Sequence, residues 1–239
     1  MPSLPPVTKA LMLICTAVYC IQLLLPILPM EALFALWPLS SGRFWPWQVL
    51  SYGLLHGSMG HLLFNMLSLW MFGGDLERLW GQKRYLQLIA ASAFSAAVAQ
   101  LAMAALMGSV AYTVGASGAT YGLLLAFGLV FPNRMFDLIG LLPALLMMMP
   151  SETLNLVGMV LFFVMFTNRA ALPFLQPVPI RAPYMVAIFG GLELIQGLFF
   201  SRSGVAHFAH LGGMLGAWLM LLWWRGRLPF GGKPGQRRR

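Results

Sequence analysis

The sequence is poor in charge, and poorest in acid. Six of its 239 residues are Asp or Glu, against fifteen Lys and Arg, and all charged residues together make up 9%. Apolar residues reach 59% and the mean hydropathy is +0.79, which excludes an ordinary soluble domain. Long apolar runs separated by short polar breaks describe an all-α polytopic membrane protein. Cysteine is scarce as well. Cys15 and Cys20 lie in the first apolar segment without metal or redox spacing, so they read as packing or membrane-facing residues. No H-E-x-x-H helix is present, which removes that class of metalloprotease. The only two aspartates, Asp75 and Asp137, fall near segment ends expected to be cytoplasmic, so a paired intramembrane aspartyl site is excluded. The net charge of +9 could suggest nucleic acid, but the cations cluster at segment ends, as orientation signals do.

Six main spans are expected: about Lys9–Leu28, Ser58–Phe72, Tyr85–Met107, Ser117–Phe131, Ala182–Phe200 and Val205–Trp224. The first resembles a signal peptide but lacks a small-x-small cleavage site, and is read as a retained helix. Trp37, Phe44, Trp45 and Trp47 enrich the connection from Glu31 to Leu55, as suits a membrane interface. Leu138–Met149 and Leu154–Phe166 are each short of the roughly 20 residues a crossing needs. With Pro150-Ser151-Glu152-Thr153 between them, they are read as a hairpin entering from the cytoplasmic side, remote in depth from Ser117. With the N-terminus inside, thirteen Lys and Arg fall on the inner side, and only Arg43 and Arg202 on the outer. The expectation is a multi-pass protein of the cell (inner) membrane with both termini cytoplasmic. Its membrane domain would span residues 1–228, with an inserted hairpin at about 135–176 and a basic tail at 229–239.

In that topology the second, fourth and sixth spans all run from outside to inside, so their first turns share a depth. The second carries His61 and Asn65, which share a helix face at i and i+4. The fourth opens with Gly115-Ala116-Ser117-Gly118, and Tyr121 stands one turn below Ser117. The sixth carries His207 and His210, followed by Gly212, Gly213 and Gly216, which remove bulk and permit close helix approach. A serine needs a base to act as a nucleophile, and a histidine across a close helix pair supplies one. Plainer readings stand beside this one. His56 and His61 could be interfacial histidines, Asn65 helix–helix glue, and Tyr121 a packing ring. Glu193, mid-span with Gln196 nearby, is read as an interhelical hydrogen bond, because no second intramembrane carboxylate offers it a partner.

Taken together, these motifs resemble the rhomboid family of intramembrane serine proteases. His56-Gly57-Ser58-Met59-Gly60-His61-Leu62-Leu63-Phe64-Asn65 is similar to the family's second-helix motif. Glu77-Arg78-Leu79-Trp80-Gly81-Gln82-Lys83-Arg84 resembles its E-x-x-x-G-x-x-R. Gly115–Gly118 matches its G-x-S-G, and Ala209-His210-Leu211-Gly212-Gly213 its histidine motif. The resemblance implies a six-helix bundle, here with an extra helical hairpin between helices four and five. It implies Ser117 as nucleophile and His210 as base, a dyad without a carboxylate. His210 is preferred to His207 because only His210 is followed by the Gly-Gly pair. His61, Asn65 and the Ser117 N–H would form the oxyanion hole, with Tyr121 stacked on His210 and His56 and Gly118 in support. No cofactor or metal is implied. Substrates would be single-span or multi-span membrane proteins of the lipid bilayer, cut beside small residues near the outer face. Where the family has a W-R pair in the first loop, this chain has Trp47-Gln48, and the segment from Met135 to about Gln176 is longer than the family's link. A transporter or channel would predict several intramembrane carboxylates or an internal repeat, and neither is found. A non-proteolytic rhomboid-like binding protein would usually lack the serine or the histidine, and both are present.

Overall fold

A computed structural model describes residues 3–147, 149, 151–199 and 206–226. The expected tail at 229–239, Arg202 and Pro150 of the hairpin tip lie outside the described residues. The first helix, α1 (Pro6–Leu24), begins with proline, whose missing N–H is no loss at that position. The free N–H groups of Val7 and Thr8 donate to Glu77 Oε1 and Oε2 at 2.9 and 2.7 Å, and Thr8 Oγ1 adds a third bond at 2.8 Å. A buried carboxylate from a distant motif therefore closes the positive end of α1.

The first loop contains two short helices, α2 (Met30–Phe34) and α3 (Gln48–Ser51). Gln48 is fully buried at its centre. Its Oε1 accepts from the N–H groups of Trp37 and Trp45, both at 3.2 Å, while Nε2 donates to the carbonyls of Arg43 and Leu33 at 3.2 and 3.4 Å. The residue that departs from the family pattern is the one that ties the loop together. Leu36 and Thr113 exchange backbone hydrogen bonds, joining this loop to the segment that leads into Ser117.

The helix α4 (Met59–Ser68) starts at Ser58, whose Oγ accepts from the His61 N–H at 3.1 Å. It runs through a π-helical turn, Leu69–Gly73, into α5 (Gly74–Met107). The expected loop between the second and third spans is helical except at Gly81, whose φ of 74° is open to glycine at no steric penalty. Past Gly81 the chain returns, so that Tyr85 lies against Gly73.

The remaining elements are α6 (Ser117–Val130), β1 (Met135–Asp137), α7 (Leu142–Met147), α8 (Glu152–Asn168), β2 (Pro179–Arg181), α9 (Ala182–Phe199) and α10 (His207–Trp224). The strands β1 and β2 pair antiparallel, with Met135 opposite Arg181, and bring the two feet of the α7–α8 segment together. The two helices pack on each other at Gly158, where a Cβ would meet the Pro143 carbonyl at 2.8 Å. At the feet, Phe136 packs on Phe72 and Phe127, and Arg134 lies 3.7 Å from Asp75. At the other end Met147 reaches Gly60, and Phe162 faces Phe64. The hairpin thus stands along α4 and reaches Gly60, the residue before His61, which overturns the expectation that it lies remote from Ser117 in depth. The reason is length: from Gly60 to Phe72, α4 and the π-helical turn after it rise only about 18 Å at 1.5 Å per residue, a height that the 17-residue α8 can span.

At the centre α5, α6 and α10 converge through small residues. A Cβ on Gly212 would meet the Ser95 carbonyl at 2.8 Å, and one on Gly216 the Ala91 carbonyl at 2.5 Å. Without a hydrophobic drive between helices in lipid, such close backbone packing carries the association. Large apolar side chains face outward instead, among them Leu24, Phe94, Phe163 and Leu198. Among the described residues α1, the continuous run Met59–Met107 and α9 are long and apolar enough to cross a membrane. The 14-residue α6 is shorter and largely enclosed by its neighbours. The fold is all-α and polytopic, with one small strand pair among the described residues, at the hairpin feet.

Candidate active site

The site is built on the loop that enters α6. Gly115 has φ 120°, its N–H donates to the Tyr52 carbonyl at 2.9 Å, and a Cβ there would lie 2.5 Å from His61 Nε2. Only glycine fits both the conformation and the space. Ser117 is the first residue of α6. The first bond of that helix runs from the Thr120 N–H to the Ala116 carbonyl at 3.0 Å, so the N–H groups before it precede any intrahelical acceptor.

Across from this loop, Gly213 of α10 rests on the backbone carbonyl of Gly118. That approach puts His210 Nε2 2.8 Å from Ser117 Oγ. The Tyr121 ring stacks on the His210 ring, with centroids 4.3 Å apart and planes 6° from parallel. Behind His210 stands Glu193 of α9, 1% exposed. Its Oε1 lies 2.8 Å from His210 Nδ1 and accepts the Tyr121 hydroxyl, and its Oε2 lies 2.7 Å from His207 Nδ1. The His210 contact is close but imperfectly aligned, for the ring N–H points off the oxygen. The expected pair without a carboxylate therefore has one against its histidine, and His207, passed over for the base, holds the carboxylate's other oxygen. Both residues carried a readable signal: a mid-span Glu, and two histidines one helical turn apart.

Glu193, His207 and His210 also offer three metal-ligand atoms within 4.8 Å of one another. Ligand atoms around a tetrahedral zinc stand roughly 3.3 Å apart, given bonds of about 2.0 Å. The 2.7 and 2.8 Å separations here are shorter than that: the first is a hydrogen bond between His207 and the carboxylate, and the second a direct His210–carboxylate ion-pair contact.

Asn65 faces α6 from α4. Its Oδ1 accepts from Thr120 Oγ1 at 3.3 Å and its Nδ2 donates to the His61 carbonyl at 3.1 Å, leaving a second amide hydrogen. Thr120 Oγ1 also lies 3.1 Å from the Ser117 carbonyl, which links the amide to the serine turn. Gly118 packs against Ala96 and Tyr52, where a side chain would not fit. His56 stands one ring further back, edge-on to His61 with centroids 5.2 Å apart. Gln22 clamps its backbone, accepting from the His56 N–H at 3.1 Å, while neither ring nitrogen has a hydrogen-bond partner among the described residues. Burial lowers its pKa to about 4. The structure thus gathers Ser117, His210, Tyr121, His61 and Asn65 around one loop, and sets His56 behind them.

A model of the Rhomboid domain family matches residues 43–166, just over half of the chain. The matched region includes His61, Asn65, Ser117 and Tyr121, while Glu193, His207 and His210 lie beyond it. Among curated proteins, the chain is similar to Rhomboid protease GlpG of Yersinia pestis (strain Pestoides F), 33% identical over 89 residues. It is also similar to Rhomboid protease GlpG of Klebsiella pneumoniae, 37% identical over 89 residues. Each alignment covers 37% of this chain and 32% of the relative, so the match spans about a third of the relatives' length.

Proposed function

The chain belongs to the rhomboid family, and on that premise we propose that it is an intramembrane serine endopeptidase with Ser117 as nucleophile and His210 as general base. One observation carries the proposal: Ser117 Oγ lies 2.8 Å from His210 Nε2, across two helices that glycines hold in contact. Attack of Oγ on a peptide carbonyl carbon passes the serine proton to Nε2 and leaves a tetrahedral oxyanion. Collapse of that intermediate returns the proton to the departing amine and leaves an acyl ester on Ser117. Water then attacks the ester, His210 takes its proton, and Oγ recovers that proton as the carboxyl product departs. The Ser117 N–H at the start of α6, with His61 and Asn65, forms the oxyanion hole, and Tyr121 holds the imidazole plane. His56 and Gly118 support this arrangement from behind.

The substrates are membrane proteins, cut near the outer face beside small residues, in helices that unwind easily. On this reading the protein lies in the cell (inner) membrane with both termini cytoplasmic. Arg78 and Arg134 at Asp75, Arg181 opposite Met135 and Arg84 over Trp224 support that orientation as a cationic end of the bundle. No cofactor is required. The test is covalent labelling of the detergent-purified protein with a fluorophosphonate, alongside cleavage of a panel of single-span reporters. Labelling at Ser117 is expected, and Ser117→Ala and His210→Ala should each abolish both signals. Cleavage that survives His210→Ala and disappears in His207→Ala would show that His207, and not His210, is the base.

A further inference from the structure

The geometry points to Glu193 as the third member of the site: a buried carboxylate that orients His210 and balances the charge it acquires during turnover. This rests on the proposed protease reading of Ser117 and His210. Nothing in the family match reaches Glu193, which lies beyond residue 166.

A carboxylate with 1% exposure is costly to bury unless its oxygens are satisfied. Among the described residues its ion-pair contacts are the two histidines, with no lysine or arginine. Glu193 is hydrogen-bonded by the Tyr121 hydroxyl from α6 and by His207 Nδ1 from α10, and His210 Nδ1 of α10 lies 2.8 Å from the Tyr121-bound oxygen in an ion-pair contact. An ionised carboxylate accepts on both oxygens and donates nothing, so it matches all three. That assignment puts the neutral proton of His210 on Nδ1, the ring nitrogen beside Glu193. Nε2 is then the free lone pair, and it is Nε2 that faces Ser117 Oγ. A dyad alone leaves the imidazole tautomer to chance. Here the carboxylate selects the one that can accept the serine proton.

During acylation the serine proton moves to Nε2 and His210 becomes an imidazolium. Glu193 stays ionised and takes no proton, and its charge at Nδ1 offsets the new positive charge in a site shielded from water. The imperfect alignment of the resting contact fits this role, because catalytic hydrogen bonds often tighten only as charge develops. Tyr121 acts twice, stacking on the ring and donating to the same oxygen that faces Nδ1. His207 holds the opposite oxygen and so fixes the carboxylate's rotation. Glu193, Tyr121 and His207 are positioning residues. A purely structural carboxylate would join α9, α6 and α10 just as well, without bearing on the ionisation of His210.

The deciding experiment compares wild type, Glu193→Gln and Glu193→Asp in detergent, reading fluorophosphonate labelling, kcat and KM on one reporter, and the pH profile of kcat/KM. Glu193→Gln should lower kcat by about a hundredfold or more with KM little changed. Loss of the adjacent charge should also move the acid limb of kcat/KM to lower pH, because the imidazolium is no longer stabilised. Glu193→Asp should recover part of kcat and the wild-type limb. An unchanged limb, or a kcat within a few-fold of wild type, overturns the proposal. If Glu193→Gln does not fold, proton NMR of the 15N-histidine-labelled wild type carries the test. A boronate adduct on Ser117 should then show a far-downfield Nδ1 proton of His210, and its absence overturns the proposal. Should the wild type neither label nor cleave, the protease reading fails and takes this inference with it. Normal wild-type activity with an indifferent Glu193→Gln removes this inference alone.

Discussion

Gly213 rests on the backbone carbonyl of Gly118, one residue past the serine, so closely that a methyl group at Gly213 would overlap it. Two helices distant in sequence meet here backbone to backbone, and the contact between His210 Nε2 and Ser117 Oγ follows from that meeting. Gly213→Ala should therefore drive α10 away from α6. Overpacking of this kind typically costs about 1–3 kcal/mol, and a lengthened serine–histidine contact should slow probe labelling at least tenfold. Gly216→Ala meets the Ala91 carbonyl one turn further from the serine. It should destabilise comparably but slow labelling less, and equal slowing in both variants would show that the effect is unfolding.

Asn65 is held by Thr120 on one side and its own helix on the other, with one amide hydrogen uncommitted. Asn65→Ala should lower kcat more than it alters KM. Removing an oxyanion donor costs about 2.7–4 kcal/mol in known cases, and the other two proposed donors, His61 and the Ser117 N–H, should make the loss smaller here. Thr120→Val frees Asn65 Oδ1 and should reproduce part of the effect. Steady-state kinetics on a cleaved reporter checks both, and a rise in KM at constant kcat would make Asn65 a packing or binding residue.

Gln48 satisfies two backbone donors and two carbonyls in the first loop. Gln48→Ala leaves the N–H groups of Trp37 and Trp45 without that acceptor, at about 1–3 kcal/mol for each that stays buried. Thermal unfolding in detergent should show the loss. Gln48→Arg supplies donors but no acceptor, so it should not rescue those two N–H groups unless the loop rearranges.

His56 offers a pH test. Its folded pKa is lowered by burial to about 4, against an ordinary value near 6.5, so the folded protein keeps the ring neutral where the unfolded chain is already protonated. Its contribution is fully present above about pH 6.5 and is lost as pH falls toward 4, with a slope of at most about 1.4 kcal/mol per pH unit. Denaturant titrations between pH 4 and 7 should be flatter for His56→Phe than for wild type. Parallel curves would mean that the ring is protonated in the folded state as well.

The sequence by itself determined the class of fold and named most of the residues that the candidate site brings together. Apolar runs and clustered cations dictated a polytopic helical protein, because lipid tolerates little else. Glycines beside Ser117 and after His210 marked where helices approach, since that property belongs to the residues themselves. The i, i+4 spacing of His61 and Asn65 assigned them a common face for the same local reason. Tertiary structure alone decided which partners meet at that face. Glu193 joins Tyr121 across 72 residues and His207 across 14, and those contacts depend on the rotation and depth of α9, to which an apolar composition is nearly indifferent. The same indifference hid the hairpin's reach to Gly60, because its apolar arms can lie deep or shallow in lipid until they pack against α4. Gln48 was visible as an exception, but its meaning emerged only when the loop closed around it: an amide can both accept and donate, and four backbone groups converge on that one side chain.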